Sequence, residues 1–159
     1  MKTAPLAAIA LAAVVTLAPG TAAASCRAPA DASVSAGHLV QSANALRARH
    51  GLPPLRFNRA LAGAAQQHAC DMALNGLRSH RGSRGSTVMV RARQNGYRAC
   101  TIAENVAWDF PRATQVSTGW AASASHRSNI LHPRVSELGV GIAQGAKGPS
   151  WVLVLARGC

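Results

Sequence analysis

Residues 119–131 read GWAASASHRSNIL. These thirteen positions hold an indole, a run of small residues, one histidine, one arginine and an Asn-Ile-Leu clip. A second mixed cluster, AENVAW at 103–108, lies upstream, and Ser79-His80 lies before that. Chemistry-bearing residues are therefore concentrated in three short stretches, and the rest of the chain reads as the frame around them. Around the opening stretch, 116–122 reads as a helix carrying Trp120, and 125–131 as a tight helical turn ended by Pro133.

Working outward, the periodicity predicts helices over 38–50, 59–77 and 87–94. The first carries Leu39, Val40, Ala43 and Leu46 inward, with Arg47 and Arg49 outward. Gly51 and the Pro53-Pro54 pair end it. Residues 25–36 read as an extended lead-in. Asn58 is a good N-cap for the second helix, whose apolar stripe is Leu61, Ala65, His68 and Met72, and Asn75-Gly76 closes it. Residues 79–86, SHRGSRGS, read as a mobile basic loop. Strands are expected around 102–106, 138–143 and 151–156, the last two joined by a Gly-rich hairpin. No internal repeat and no second domain is visible.

With 159 residues and a 48% hydrophobic fraction rich in alanine, the chain has room for one domain with a small-residue core. Lys+Arg total 17 against five acids, for a formal net charge of +12, and all the cations but Lys2 and Lys147 are arginine. Such a surface attracts anions without saying which. Arg91, Arg93 and Arg98 would form a basic face. Only Tyr97 interleaves with them, so a nucleic-acid reader is disfavoured.

The first residues bear on the compartment. Met1-Lys2 is a short positive region, 6–17 is apolar apart from Thr16, and Ala22-Ala23-Ala24 offers a small-residue cleavage site. Twelve residues fall short of the roughly 20 that cross a bilayer. The expectation is a signal peptide over 1–24 and a secreted domain over 25–159, extracellular or periplasmic, monomeric, with no transmembrane segment after processing. Cys26, Cys70, Cys100 and Cys159 form an even set, which in an exported chain reads as two disulfides. Of the three pairings, Cys70–Cys100 with Cys26–Cys159 is favoured, one tying a helix to the 103–108 cluster and the other stapling the chain ends. A lipidated Cys26 competes with this; Ala23 at the position three before it and the odd thiol it would leave argue against it.

Taken in order, these residues resemble the CAP superfamily (cysteine-rich secretory, antigen 5, pathogenesis-related-1), in its bacterial SCP-like branch. The series runs from Asn44-Ala45-Leu46-Arg47 through Ser79-His80, Gly96-Tyr97, Glu104-Asn105 and Trp120 to His126-Arg127, Asn129-Ile130-Leu131, Gly139-Val140-Gly141 and Trp151-Val152. The resemblance implies an α+β fold, a three-layer α-β-α sandwich around a central antiparallel sheet. It also implies a cleft holding two histidines and acids, with a divalent metal in some members. His80 and His126 match the histidine positions and Glu104 the first glutamate. Three residues after Trp120, where many eukaryotic relatives carry glutamate, this chain has Ser123, as bacterial relatives commonly do. Sterol and fatty-acid binding occur among relatives, and no groove for them is legible here.

Two imidazoles and a carboxylate would hold Zn²⁺ or another divalent cation, with Glu104 as candidate general base toward a bound water. Equally, the same groups would simply hydrogen-bond one another. Ser123, Ser125 and Ser128 neighbour His126, but no Gly-x-Ser-x-Gly elbow is present. His68 reads as a packed core histidine, and His38 and His50 as solvent-facing. The expected function is a secreted binding module for an anionic or amphiphilic partner, such as lipid, glycan or cell-envelope polymer. The alternative is a metal-assisted hydrolase of peptide or ester bonds.

Overall fold

The computed structural model describes residues 26–159, so the expected leader over 1–24 lies outside the described residues. The elements run α1 (Ala32–Arg49), β1 (Arg56–Phe57), α2 (Arg59–Asn75), α3 (Val88–Gln94), β2 (Ala99–Trp108), α4 (Ala113–Ala122), α5 (Ala124–Ile130), β3 (Glu137–Gln144) and β4 (Pro149–Gly158). One sheet, ordered β1-β3-β4-β2, carries helices on both faces. β4 pairs antiparallel with both β2 and β3. The sheet is mixed rather than wholly antiparallel, because the two-residue strand β1 joins β3 in parallel.

Strand alternation builds the layers. On β4, Trp151, Leu153 and Leu155 face α1 and α4, whereas Val152, Val154 and Ala156 face α2 and α3. β3 does the same with an asymmetry: Leu138, Val140 and Ile142 point to the first layer, and Gly139 and Gly141 to the second. A Cβ on either glycine would overlap the backbone of α2 at Leu61–Ala62 or Ala65–Gln66. The glycines therefore let α2, with its alanine face of Ala64, Ala65 and Ala69, lie directly on the sheet. α2 starts where Asn58 Oδ1 accepts from the Ala60 and Leu61 amides, and ends at Gly76 with φ 63°.

Three expectations need correction. α1 begins at Ala32, inside the segment read as extended, because its buried stripe reaches back to Ser35. Arg47 is not outward: it is fully buried. Its guanidinium donates to the carbonyls of Pro53, Ile130, His132 and Val135, so it fastens two loops that lack a ladder of their own. Burial pulls its pKa down.

The disulfides pair Cys26–Cys70 and Cys100–Cys159, not Cys70–Cys100 and Cys26–Cys159. The β2–β4 register sets Ala99 opposite Gly158, which brings Cys159 beside Cys100, Cα to Cα 4.9 Å. The lead-in chain crosses α2 at Cys70, with the Arg27 carbonyl accepting from the Gln144 amide. With sequence separations of 44 and 59, each link is worth about 4 kcal/mol by loop entropy.

Candidate functional site

The site lies along the outer edge of β2. Alternation sends Val106 and Glu104 carbonyls outward, where side chains from the neighbouring helices meet them. The Trp120 indole donates to the Val106 carbonyl, and Asn129 Nδ2 donates to the Glu104 carbonyl and to Asn105 Oδ1. Asn105 Nδ2 donates in turn to the His126 carbonyl. The Asn-Ile-Leu clip is thus a lock between α5 and β2. It fixes the backbone that carries His126 next to the strand that carries Glu104.

Glu104 is the centre of the charge arrangement. Its side chain is 2% exposed and meets three groups. Arg91 Nη2 donates to Oε2 at 2.7 Å, and His80 Nδ1 lies 3.0 Å from Oε1. His68 Nε2 lies 3.9 Å from the same Oε1 and 2.9 Å from the Ser79 carbonyl. A buried carboxylate requires a buried partner, and here it is Arg91, 1% exposed. Arg91 was expected on a basic face with Arg93 and Arg98; it is instead the counter-ion of Glu104. Its helix spacing with Val88 and Ala92 put it on the packed side of α3, a signal that charge alone concealed.

The same groups organise the 79–86 loop, which the sequence presents as mobile. Arg91 donates to the carbonyls of His80 and Ser86. Asp71 accepts from the Ser83 amide and hydroxyl, and Gly82 N donates to the Ser86 carbonyl. The loop is thereby anchored from α2 and α3, and His80 is presented with 60% of its side chain exposed.

The three histidines differ in their proton affinity. The hydrogen bond to Glu104 raises the pKa of His80. Burial lowers that of His126, and the charge on nearby His80 lowers it further. Burial also lowers that of His68, against the pull of Glu104. His68 is the packed core histidine expected. His38 is not simply solvent-facing, since its Nε2 meets Ser42 and Ser117 hydroxyls.

Two hollows follow one another along the β2 edge. The first, about 400 Å³, is lined by His80, Arg81, Thr87, Ile102 and Glu104 among others. The second, about 250 Å³, is walled by Val106, Phe110, Val116, Trp120, Ser123 and His126. Ser123 belongs to this apolar hollow, and among the described residues its hydroxyl meets only that of Ser125, Oγ to Oγ 3.3 Å. Arg127 is turned to the carbonyls of Ala121 and Ala122 at the end of α4.

The residues fit a metal only in part. Glu104 is committed on both oxygens, and Ser123 supplies no carboxylate. Among the described residues no group of three or more His, Cys, Asp and Glu is arranged to hold a metal ion. The imidazoles of His80 and His126 are the donors that remain.

The comparisons agree with this architecture. The chain is 28% identical over 124 residues to the uncharacterized protein YkwD of Bacillus subtilis, covering 78% of this chain and 48% of that one. It is 26% identical over 110 residues to the uncharacterized membrane protein YlbC of the same organism, covering 69% and 32%. It therefore spans less than half the length of these curated relatives. Among solved structures, an extracellular SCP-domain protein from Bacillus anthracis aligns with a TM-score of 0.72 at 26% identity, over 79% of this chain and 41% of that one. An outer surface protein of Borrelia burgdorferi aligns with a TM-score of 0.76 over 85% of this chain and all of that one; at 17% identity the likeness is one of fold. The profile of the cysteine-rich secretory protein family, CAP, matches residues 40–155, and this chain is a member of that family.

Proposed function

We propose that the protein is an exported binding module whose cleft takes an amphiphilic ligand with an anionic head. One observation carries this reading. His126 stands on the wall of the apolar hollow, and His80 and Arg81 line the polar hollow that precedes it along β2. A head group would meet His80 and Arg81, and a chain would lie against Val116, Trp120 and Phe110. Burying that apolar area supplies affinity, and the cationic rim supplies orientation. Export is supported by two disulfides, which persist in oxidising compartments. It is supported also by the extracellular and outer-surface descriptions of the structural neighbours. Among the described residues no helix is long and apolar enough to cross a membrane.

A divalent cation such as Zn²⁺ would be held by His80 and His126, where it would add positive charge facing the head group. Two imidazoles make a weak site compared with the three protein ligands usual for zinc. The hydrolase reading needs Glu104 free as a base, and its carboxylate is engaged by Arg91 and His80, so it ranks second. Turnover of ester or peptide probes that requires both Zn²⁺ and His80 would reinstate it.

The test is titration of decanoate, below its micellar concentration, into the mature chain, followed by tryptophan fluorescence. Saturable one-to-one binding is expected, weakened by His80→Ala/His126→Ala and by Val116→Asp. Zn²⁺ titrated into chelator-stripped protein should bind weakly and only while both histidines are present. Absence of decanoate binding, or binding indifferent to these variants, would overturn the proposal.

A further inference from the structure

The geometry points to a second site, away from the cleft: a groove of about 400 Å³ beside β1 that binds a phosphate group through Arg56, Arg134 and Arg157. The three arginines come from different parts of the chain. Arg56 sits on the edge strand β1, Arg134 in the loop after α5, and Arg157 near the end of β4. All three are exposed. Among the described residues none of their guanidiniums has a hydrogen-bond or ion-pair partner, and the ion pairs present involve only Arg78, Arg91, His68 and His80 as cations.

Like charges do not converge on one groove without cost, so something must hold them there. Arg47 supplies the support. Its buried guanidinium bonds the Pro53 carbonyl on one wall, and the His132 and Val135 carbonyls on the other. Pro53, Pro54 and Pro133 stiffen the same walls. The groove is therefore built before any ligand arrives, which lowers the ordering cost of binding. One acid is near. Glu137 faces Arg56 in the β1–β3 register, but it accepts from the Tyr97 hydroxyl at 2.5 Å and from Asn58 Nδ2 at 3.0 Å. Those bonds, with Arg56 adding a smaller effect, hold its pKa down. Three cations against one engaged carboxylate leave the groove positive.

Guanidinium forks match the oxygens of phosphate bidentately, and several forks favour a multivalent oxyanion over chloride. No aromatic side chain lines the groove, so base stacking has no platform and the recognised group is the phosphate itself. Two sources share that chemistry, a free phosphate ester and a phospholipid head group.

The experiment uses the mature chain at constant ionic strength set with chloride. Glycerol phosphate is titrated in one arm, followed by amide chemical shifts. Vesicles of phosphatidylglycerol, with phosphatidylcholine vesicles as reference, are sedimented with the protein in the other. The variant Arg56→Gln/Arg134→Gln/Arg157→Gln is compared with Arg49→Gln/Arg93→Gln/Arg98→Gln, which removes equal charge elsewhere. Among the described residues none of these side chains makes a hydrogen bond, and only Arg56 faces a carboxylate, Glu137, so both variants should fold, and thermal melting checks this. Expected is saturable binding with shifts confined to the groove, lost about tenfold or more in the groove variant and kept within about twofold in the other. Binding of the vesicles alone, lost in the groove variant, supports the site and identifies a lipid source. No binding in either arm, or equal loss in both variants, overturns it. Decanoate binding by the groove variant reports on the cleft separately, so the two readings fail independently.

Discussion

The cleft along β2 and the groove beside β1 treat positive charge in opposite ways. In the cleft, Arg91 is buried and its two Nη groups are answered, by Glu104 and by the carbonyls of His80 and Ser86. In the groove, Arg56, Arg134 and Arg157 are exposed and unanswered, while a buried arginine behind them, Arg47, holds the walls. The difference teaches that a guanidinium in this protein is either scaffold or contact surface, and that burial separates the two roles. A net charge of +12 does not describe either region.

The comparison breaks most severely if Arg91 is truncated. Arg91→Ala leaves Glu104 as an uncompensated buried charge and should cost about 3–5 kcal/mol in urea unfolding. Arg91→Met/Glu104→Gln should cost less than the sum of the single changes, because no charge is then stranded. Arg47→Met comes next, at about 3 kcal/mol, since several carbonyls lose their donor; it should also weaken the groove.

Histidine titration is a smaller effect with a defined sign. By NMR, His80 should titrate above the ordinary value of about 6.5, and His68 and His126 below it. His80, raised in the fold, contributes stability that is present below its unfolded pKa and lost as pH rises through its folded one. His68 and His126, lowered in the fold, contribute stability present above their unfolded pKa and lost as pH falls through the folded one. His68 is fully buried and His80 mostly exposed, so the acid-side loss should dominate, and unfolding curves from pH 8 to pH 4 would show it. Smallest of all, Arg93→Gln/Arg98→Gln should change stability by less than about 0.5 kcal/mol, as expected of exposed side chains.

Much of the frame was legible in the sequence because it obeys simple periods. The Asn58 cap, the Asn75-Gly76 stop and the unbroken apolar run over 151–156 each state their structure locally. The glycines at 139 and 141 pointed to the family, and their reason is the close approach of α2. His80 beside Glu104 was legible through the family pattern, and the structure brings them to 3.0 Å. What was not legible depends on partners far along the chain. Arg47 follows Leu39 and Ala43 at helical spacing and shares their buried face, but an arginine there reads as solvent-facing until its four carbonyl partners are known. Arg91 was hidden for the same reason. The Cys100–Cys159 link follows from the β2–β4 register and Cys26–Cys70 from the lead-in crossing α2, and no local signal fixes either. The parallel strand β1 is two residues long and has no pattern to read.

The most direct test of the account is the placement of an amphiphile in the cleft. With decanoate bound to the chain over 25–159, intermolecular NOEs should run from its terminal methyl to Trp120, Val116 and Phe110, and from the methylenes nearest its carboxylate to His126 and His80. That pattern would establish one site, polar at the histidines and apolar at the tryptophan. A chain whose contacts lie wholly outside these residues, or whose carboxylate end faces Trp120 instead, would contradict it.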